Sequence, residues 1–251
     1  MPGIGIGIGI GGIGRIGHEI AILDDRGVLW LNQFLSRWPP LDEFAAWLLN
    51  AYLFKFGPLV LAICWLWFAR SAAQPLRRQL LVEGVLTGLV ALFVGRFLAL
   101  GLPYRMRPVV RPDLDFVQGV EVGARTWSSF PSDHAVLAFA LAASLFRVSP
   151  RIGLWAAFHA AAFICLPRLY FGYHYPTDLI GGALIGIMLV VVASQWRGRH
   201  RVTAKLAQVE SERPALFYAA GFLVLFEFTE LFDSFRALAR VVFHALRQFI
   251  G

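Results

Sequence analysis

Three short segments carry the side chains whose types and spacing could do chemistry: LPYRMRP, SSFPSDHA and LPRLYFGYHYPTDL. They offer Arg105 and Arg107; Ser132, Asp133 and His134; and Arg168, His174 and Asp178. Pro176-Thr177-Asp178 reads as a helix start with the acidic residue in its first turn. His174 would then sit just outside that helix, close enough for a ring nitrogen to meet the carboxylate. Such a carboxylate fixes the imidazole tautomer and stabilises the cation formed as the other nitrogen attacks. Pro131-Ser132 reads as a second helix start, whose free N–H groups and positive dipole end suit a phosphate or other anion. His134 in the same place suits protonation of a leaving oxygen. Arginine forks match phosphate oxygens better than any other side chain. A lone His-x-x-x-Asp pair is usually a structural hydrogen bond, and loop arginines alone would be headgroup contacts. Convergence of the three segments is what points to phosphoryl transfer.

Convergence depends on the elements that carry these segments, and composition indicates what those are. Of 251 residues, 58% are hydrophobic and 16% charged, and the mean hydropathy is +0.63. A soluble domain carries about 25% charged residues, so the chain reads as an all-α, polytopic membrane bundle. The formal net charge of +7 comes with no basic run interleaved with aromatics, which argues against nucleic acid as a partner. Cys64 and Cys165 both fall in apolar runs on opposite sides of the expected topology, so neither a disulfide nor a zinc site is expected.

A membrane span needs about 20 mostly apolar residues for about 30 Å of hydrocarbon. Six stretches qualify: 45–69, 79–102, 133–149, 152–170, 178–196 and 214–232. Lys55 and Gly57-Pro58 suggest a kink in the first. Basic residues follow the first span (Arg70, Arg77, Arg78), bracket the turn after the third (Arg147, Arg151) and follow the fifth (Arg197, Arg199, Arg201, Lys205, Arg213). Positive charge assigns those loops to the cytoplasm. Loops 103–132 and 171–178 then open together on the outer face, despite Arg105, Arg107, Arg111 and Arg125 in the former. Residues 1–44 read as an Ile/Gly-rich tail followed by a surface helix at 28–38 that Pro39-Pro40 ends. The transmembrane unit covers 45–233 and an amphipathic tail 234–251.

In this order and spacing, Arg107-Pro108, Pro131-Ser132-Asp133-His134 and Arg168 through His174 to Asp178 resemble the three-part signature of the type 2 phosphatidic acid phosphatase superfamily. The resemblance spans residues 96–178 and extends into the glycine-rich helix that follows. It implies a core of four helices and a phosphohistidine mechanism needing neither cofactor nor metal. It further implies His174 as nucleophile, Asp178 as its orienting partner and His134 as general acid and then base. Phosphate would be held by Arg107, Arg168, Ser132 and the backbone near Asp133. Three positions depart from the pattern. Leu100 stands where the family has a lysine, with Arg96 or Arg105 as substitutes. Asp133 replaces a glycine, a variant similar to undecaprenyl-diphosphatase-like members, and Pro167 replaces a serine.

Those resemblances imply a phosphatase in the bacterial inner membrane, its site facing outward, acting on a lipid phosphate such as undecaprenyl diphosphate. A phosphatidate- or phosphatidylglycerophosphate-type phosphatase and a lipid phosphotransferase are the nearest alternatives. A transporter or scaffold using Arg96, His159 and Glu227 as intramembrane charges is the remote one. His159 reads as an interhelical hydrogen bond. Glu227, Glu230 and Asp233 share a face near the outer end of the sixth span, and Gly182 with Gly186 would let another helix approach closely. The sequence leaves the oligomeric state open.

Overall fold

The computed structural model describes residues 10–117 and 128–231, and among these the regular structure is entirely helical. In chain order come α1 (Ile10–Asn32), α2 (Pro39–Asn50), α3 (Tyr52–Phe68), α4 (Gln74–Gly101), α5 (Asp133–Val148), α6 (Pro150–His159), α7 (Leu166–Tyr170), α8 (Pro176–Gln195), α9 (Arg199–Glu212) and α10 (Pro214–Glu230). A π-helical stretch, Ala160–Cys165, joins α6 and α7 into one rod.

α5 is the axis of the bundle because its sequence is apolar on every side. Leu137, Leu141 and Leu145 recur at helical spacing and pack with Phe56, Leu59 and Phe228 from α3 and α10. Val136 and Ala140, on another face, meet Ala91 of α4 and Val190 of α8. The close approach expected from Gly182 and Gly186 is present. A Cβ on Gly186 would lie 2.3 Å from the Val136 carbonyl oxygen, and one on Gly182 would lie 2.9 Å from that of Ser132. Only hydrogen at these positions lets the α8 backbone lie directly on the first turns of α5. That contact brings the two helix starts of the sequence reading together, and the Ser132 N–H donates to the Asp178 carbonyl at 3.3 Å.

Each of the six stretches read as spans lies mainly on helix among the described residues. By length and apolarity, α4, the α6–α7 rod and α8 could each cross a membrane, and α2 with α3 would make a fourth if the bent pair counts as one span. α5 and α10 are shorter, at 16 and 17 residues. Outward-facing Phe93 and Phe97 on α4 and Leu184 and Met188 on α8 stay exposed, as they would be against lipid.

Two local expectations need correction. Pro39 and Pro40 open α2 rather than close a surface helix, because proline fits the first turn, where its missing N–H is no loss. The preceding helix runs over Ile10–Asn32 instead of 28–38. The break in the first span falls at Ala51, with a 62° bend, and Pro58 lies inside α3. Two side chains end α2 early. Asn50 donates to the Ala46 carbonyl at 3.0 Å and the buried Lys55 ammonium to that of Leu49 at 2.7 Å. Residues 1–9, Arg125 and residues 232–251, including the C-terminal tail, lie outside the described residues.

The expected grouping of loops is observed. At one end of the bundle the 103–117 and 171–175 segments meet, with the Val109 N–H donating to the Gly172 carbonyl at 3.0 Å. At the other end, the Glu83 carboxylate of α4 accepts from Arg147 of α5 at 2.9 Å and from Arg199 of α9 at 3.0 Å.

Candidate active site

Asp178 is the hub of the first end. It occupies the third position of α8, where the early N–H groups lack partners and the dipole favours a carboxylate. Its Oδ2 accepts the Tyr175 N–H at 2.8 Å, and its Oδ1 accepts from Arg105 Nη1 at 2.6 Å. The side chain has no exposed surface.

His174, also buried, stands just before α8 as its spacing predicts. Its Nδ1 lies 3.7 Å from Asp178 Oδ2 but 2.8 Å from the Ser129 carbonyl oxygen. The hydrogen bond therefore goes to a main-chain carbonyl, and Asp178 is its charged neighbour. A carbonyl can only accept, so Nδ1 carries the proton and Nε2 of the neutral ring keeps its lone pair. Ser129 is held in turn by Arg105, whose carbonyl accepts the Ser129 N–H at 2.9 Å and whose N–H donates to the Ser128 hydroxyl at 3.2 Å. Arg105 thus reaches His174 by two routes, main chain through Ser129 and side chain through Asp178.

The Arg105 guanidinium uses both terminal nitrogens. It donates to Thr177 Oγ1 at 2.8 Å and to Asp24 Oδ2 at 2.5 Å, besides Asp178, and stacks 4.0 Å over the Tyr175 ring. Both terminal nitrogens are spent on protein acceptors, so among the arginines read as phosphate ligands Arg105 is placed on the carboxylates. Arg107 lies over the Tyr173 ring at 5.9 Å. Arg168 is buried in α7, donating to the Ile164 carbonyl at 2.5 Å. Arg96 donates to Asp133 Oδ2 at 3.2 Å, which explains how an arginine is accommodated inside α4. Leu100, at the family's lysine position, is 66% exposed and points its bulk away from the cluster.

Ser132 is the N-cap of α5, yet its hydroxyl makes no capping bond. The hydroxyls of Ser132 and Ser129 and the Oδ1 of Asp133 are buried without any hydrogen-bond partner. Each such group costs about 1–3 kcal/mol. The two hydroxyls, on the residues that bond to His174 and Asp178 through their main chains, can donate to an oxyanion, whereas the Asp133 oxygen can only accept. His134, in the first turn of α5, stacks at a tilt 6.0 Å from the Phe56 ring.

Burial pushes the His174 pKa below its usual value. Arg107 and Arg168 push it the same way, and the Asp178 contact and charge pull back only in part. The ring is therefore neutral where a free imidazole begins to titrate. The charges of Arg107 and Arg168 are thus felt at the ring.

The residues read as catalytic or phosphate-binding lie on the elements that meet at this end, and the other polar residues of the spans were read separately. His159 makes the expected interhelical bond, Nε2 to the Lys55 carbonyl at 3.0 Å. Glu227 is buried in the last turn of α10, and the tip of the adjoining Phe228 ring meets Gly88 of α4. Glu230 follows one turn later on α10, and Asp233 is outside the described residues. Sequence reasoning missed Ser129, Thr177 and Asp24. Ser129 was visible within a polar interruption of an apolar chain, but nothing in α1 signalled Asp24. Among the described residues, no group of three or more His, Cys, Asp or Glu side chains is arranged to hold a metal ion.

The PAP2 superfamily profile matches residues 84–201, from α4 into α9. Three curated relatives align with this chain. The bacitracin transport permease protein BcrC of Bacillus licheniformis is 28% identical over 141 residues, 56% of this chain and 64% of that protein. The putative undecaprenyl-diphosphatase YbjG of Escherichia coli (strain K12) is 28% identical over 158 residues, 58% of this chain and 72% of the relative. The undecaprenyl-diphosphatase BcrC of Bacillus subtilis (strain 168) is 25% identical over 149 residues, 59% and 71%. The chain thus spans less than two thirds of the first relative's length. The crystal structure of Aquifex aeolicus LpxE superposes with a TM-score of 0.50 at 24% identity, covering 69% of this chain and 96% of that one. That likeness is one of fold.

Proposed function

We propose, for a chain that carries a PAP2 superfamily domain over residues 84–201, that it is an integral-membrane lipid phosphatase with undecaprenyl diphosphate as substrate. The observation that carries this reading is the buried His174, its Nδ1 proton spent on the Ser129 carbonyl and its Nε2 left with a lone pair. Two relatives named undecaprenyl-diphosphatase support the choice of lipid. The wider arrangement belongs to the same reading: six crossings within 45–233, residues 1–44 and 234–251 as flanking segments, and the site on the outer face of a bacterial inner membrane.

In this reading His174 Nε2 attacks the terminal phosphorus while Arg107, Arg168 and the Ser132 hydroxyl hold its oxygens. The bond from phosphorus to the bridging oxygen breaks, and His134 gives that oxygen its proton, releasing the lipid monophosphate. The phosphorylated ring keeps its Nδ1 proton and is cationic, and Asp178 stabilises that charge from 3.7 Å. His134 then takes a proton from water, whose oxygen attacks phosphorus. The N–P bond breaks, its electron pair returns to Nε2, and inorganic phosphate leaves. An acceptor lipid or sugar in place of that water would make the enzyme a phosphotransferase.

The test is phosphate release from undecaprenyl diphosphate and from phosphatidate by the detergent-purified protein, with and without EDTA. Release that resists EDTA and disappears in His174→Ala is expected. Faster turnover of phosphatidate would move the substrate class, and EDTA-sensitive release would remove the phosphohistidine. The relative named a transport permease gives a transporter reading its footing, and absence of release from any phospholipid would favour it.

A further inference from the structure

Asp24 lies in α1, before the residues that the PAP2 superfamily profile matches, and is 1% exposed. A buried carboxylate is costly unless its lone pairs are taken up, and here they are. Oδ2 accepts from Arg105 Nη2 at 2.5 Å and from the Thr177 hydroxyl, and Oδ1 accepts the Thr177 N–H at 3.0 Å. Thr177 is the second residue of α8, so Asp24 supplies from another helix an acceptor for a first-turn N–H, beside the bond that Asp178 makes to the Tyr175 N–H. One turn further along α1, Gly27 makes this approach possible, since a Cβ there would come within 3.0 Å of Pro176.

Fixing α1 to the bundle does not require these partners. The neighbouring pair, Asp25 with Arg111 at 2.8 Å, would do that from a surface position. What sets Asp24 apart is the guanidinium it shares: the same Arg105 donates to Asp178 at 2.6 Å. Two buried carboxylates divide one cation, and one of them stands behind His174.

We propose that Asp24 is a positioning residue of the active site, which fixes the Arg105 guanidinium and so sets how much of the Asp178 charge acts on His174. This rests on the reading of His174 as the nucleophile. With Asp24 neutral, Arg105 serves Asp178 alone, compensates more of its charge, and leaves less to hold a proton or a positive phosphohistidine on His174. The charged groups facing His174 are Asp178, Arg107 and Arg168, and none of them contacts Asp24 in the described hydrogen bonds.

The first readout needs no substrate. Histidine-labelled protein in detergent is titrated by NMR, with the His174 signal assigned through His174→Gln. Asp24→Asn removes the charge and keeps one oxygen to accept the Thr177 N–H, while its amide NH2, a donor, replaces the oxygen that received Arg105 and the Thr177 hydroxyl. Its His174 midpoint is expected to fall by about half a pH unit. Arg105→Gln should move the midpoint upward, since Asp178 then acts uncompensated. Asp25→Asn should leave it in place, and Asp24→Glu should restore it. An unmoved midpoint in Asp24→Asn overturns the proposal. So does an equal shift in Asp25→Asn, or a shift in the same direction for Asp24→Asn and Arg105→Gln, because each would report loosening of α1 rather than charge sharing. The second readout is steady-state kinetics, in which Asp24→Asn should lower kcat several-fold with KM unchanged. Failure of the wild type to release phosphate would count against the phosphatase reading while leaving the titration result intact.

Discussion

The two ends of the bundle each bury a carboxylate beside two basic groups, and they treat it differently. At one end Glu83, 6% exposed, accepts from Arg147, Arg199 and Gln79, so that both of its oxygens are matched. At the other, Asp178 is matched as well, but around it the hydroxyls of Ser129 and Ser132 and one oxygen of Asp133 go without partners. Stability alone would have removed those groups, because an unpaired buried hydroxyl costs what an alanine does not. The Glu83 cluster clamps α4, α5 and α9 together. The Asp178 cluster holds a histidine in one tautomer and keeps two serine hydroxyls beside it that no protein group engages.

The contrast can be broken at several points. The largest effect is expected for His174→Ala, which should cut phosphate release by about 10⁴-fold or more, since covalent catalysis has no substitute nucleophile. Circular dichroism and thermal unfolding should be little changed, and a parallel loss of helix would mean that His174 serves the fold. Glu83→Ala should do the reverse. It strands Arg147 and Arg199, and the unfolding free energy should fall by about 2–3 kcal/mol. That is less than the roughly 3–5 kcal/mol of a fully buried broken pair, because the arginines keep 23% and 25% of their side-chain surface exposed and solvent screens them. kcat of the protein that remains folded should hold, and a selective loss of turnover would erase the distinction between the ends.

Ser132→Ala sharpens the contrast. A donor lost from an oxyanion cradle costs about 10²–10³-fold in kcat, while removal of an unpartnered hydroxyl should leave the melting temperature unchanged or slightly higher. A lowered melting temperature with full activity would show that Ser132 is structural. The smallest effect is in pH dependence. The attacking form of His174 is neutral, and burial holds its pKa below the usual value. The acid limb of kcat/KM should therefore lie below about pH 6.5, the free imidazole value. Activity should persist as pH falls past that value and disappear only through the depressed pKa. A limb at or above it would place the essential base elsewhere.

Much of the site was legible as local spacing. Pro176-Thr177-Asp178 marked the start of α8, and His174 ahead of it could not be far from the carboxylate. Gly182 and Gly186 gave away a close helix crossing. The choice between Arg96 and Arg105 at the missing lysine was not legible, because an arginine side chain reaches several ångströms in any direction and its target is set by what the fold brings near. Arg96 found Asp133, and Arg105 found two carboxylates, one of them from α1.

The sequence by itself determined that this protein is a bundle of apolar helices, and that two histidines, an aspartate, a serine and arginines gather at one end. Periodicity, capping residues and the order of three motifs are local properties, written within a turn or two of each residue. Only the tertiary structure decided that the His174 proton goes to the Ser129 carbonyl, that Arg105 is shared by Asp24 and Asp178, and that the serine hydroxyls beside them stay unpaired. Those outcomes depend on the docking of α8 on α5 and of α1 on α8, contacts between residues distant in the chain. No pattern along one segment encodes such a meeting, because its energy exists only once both surfaces are in place.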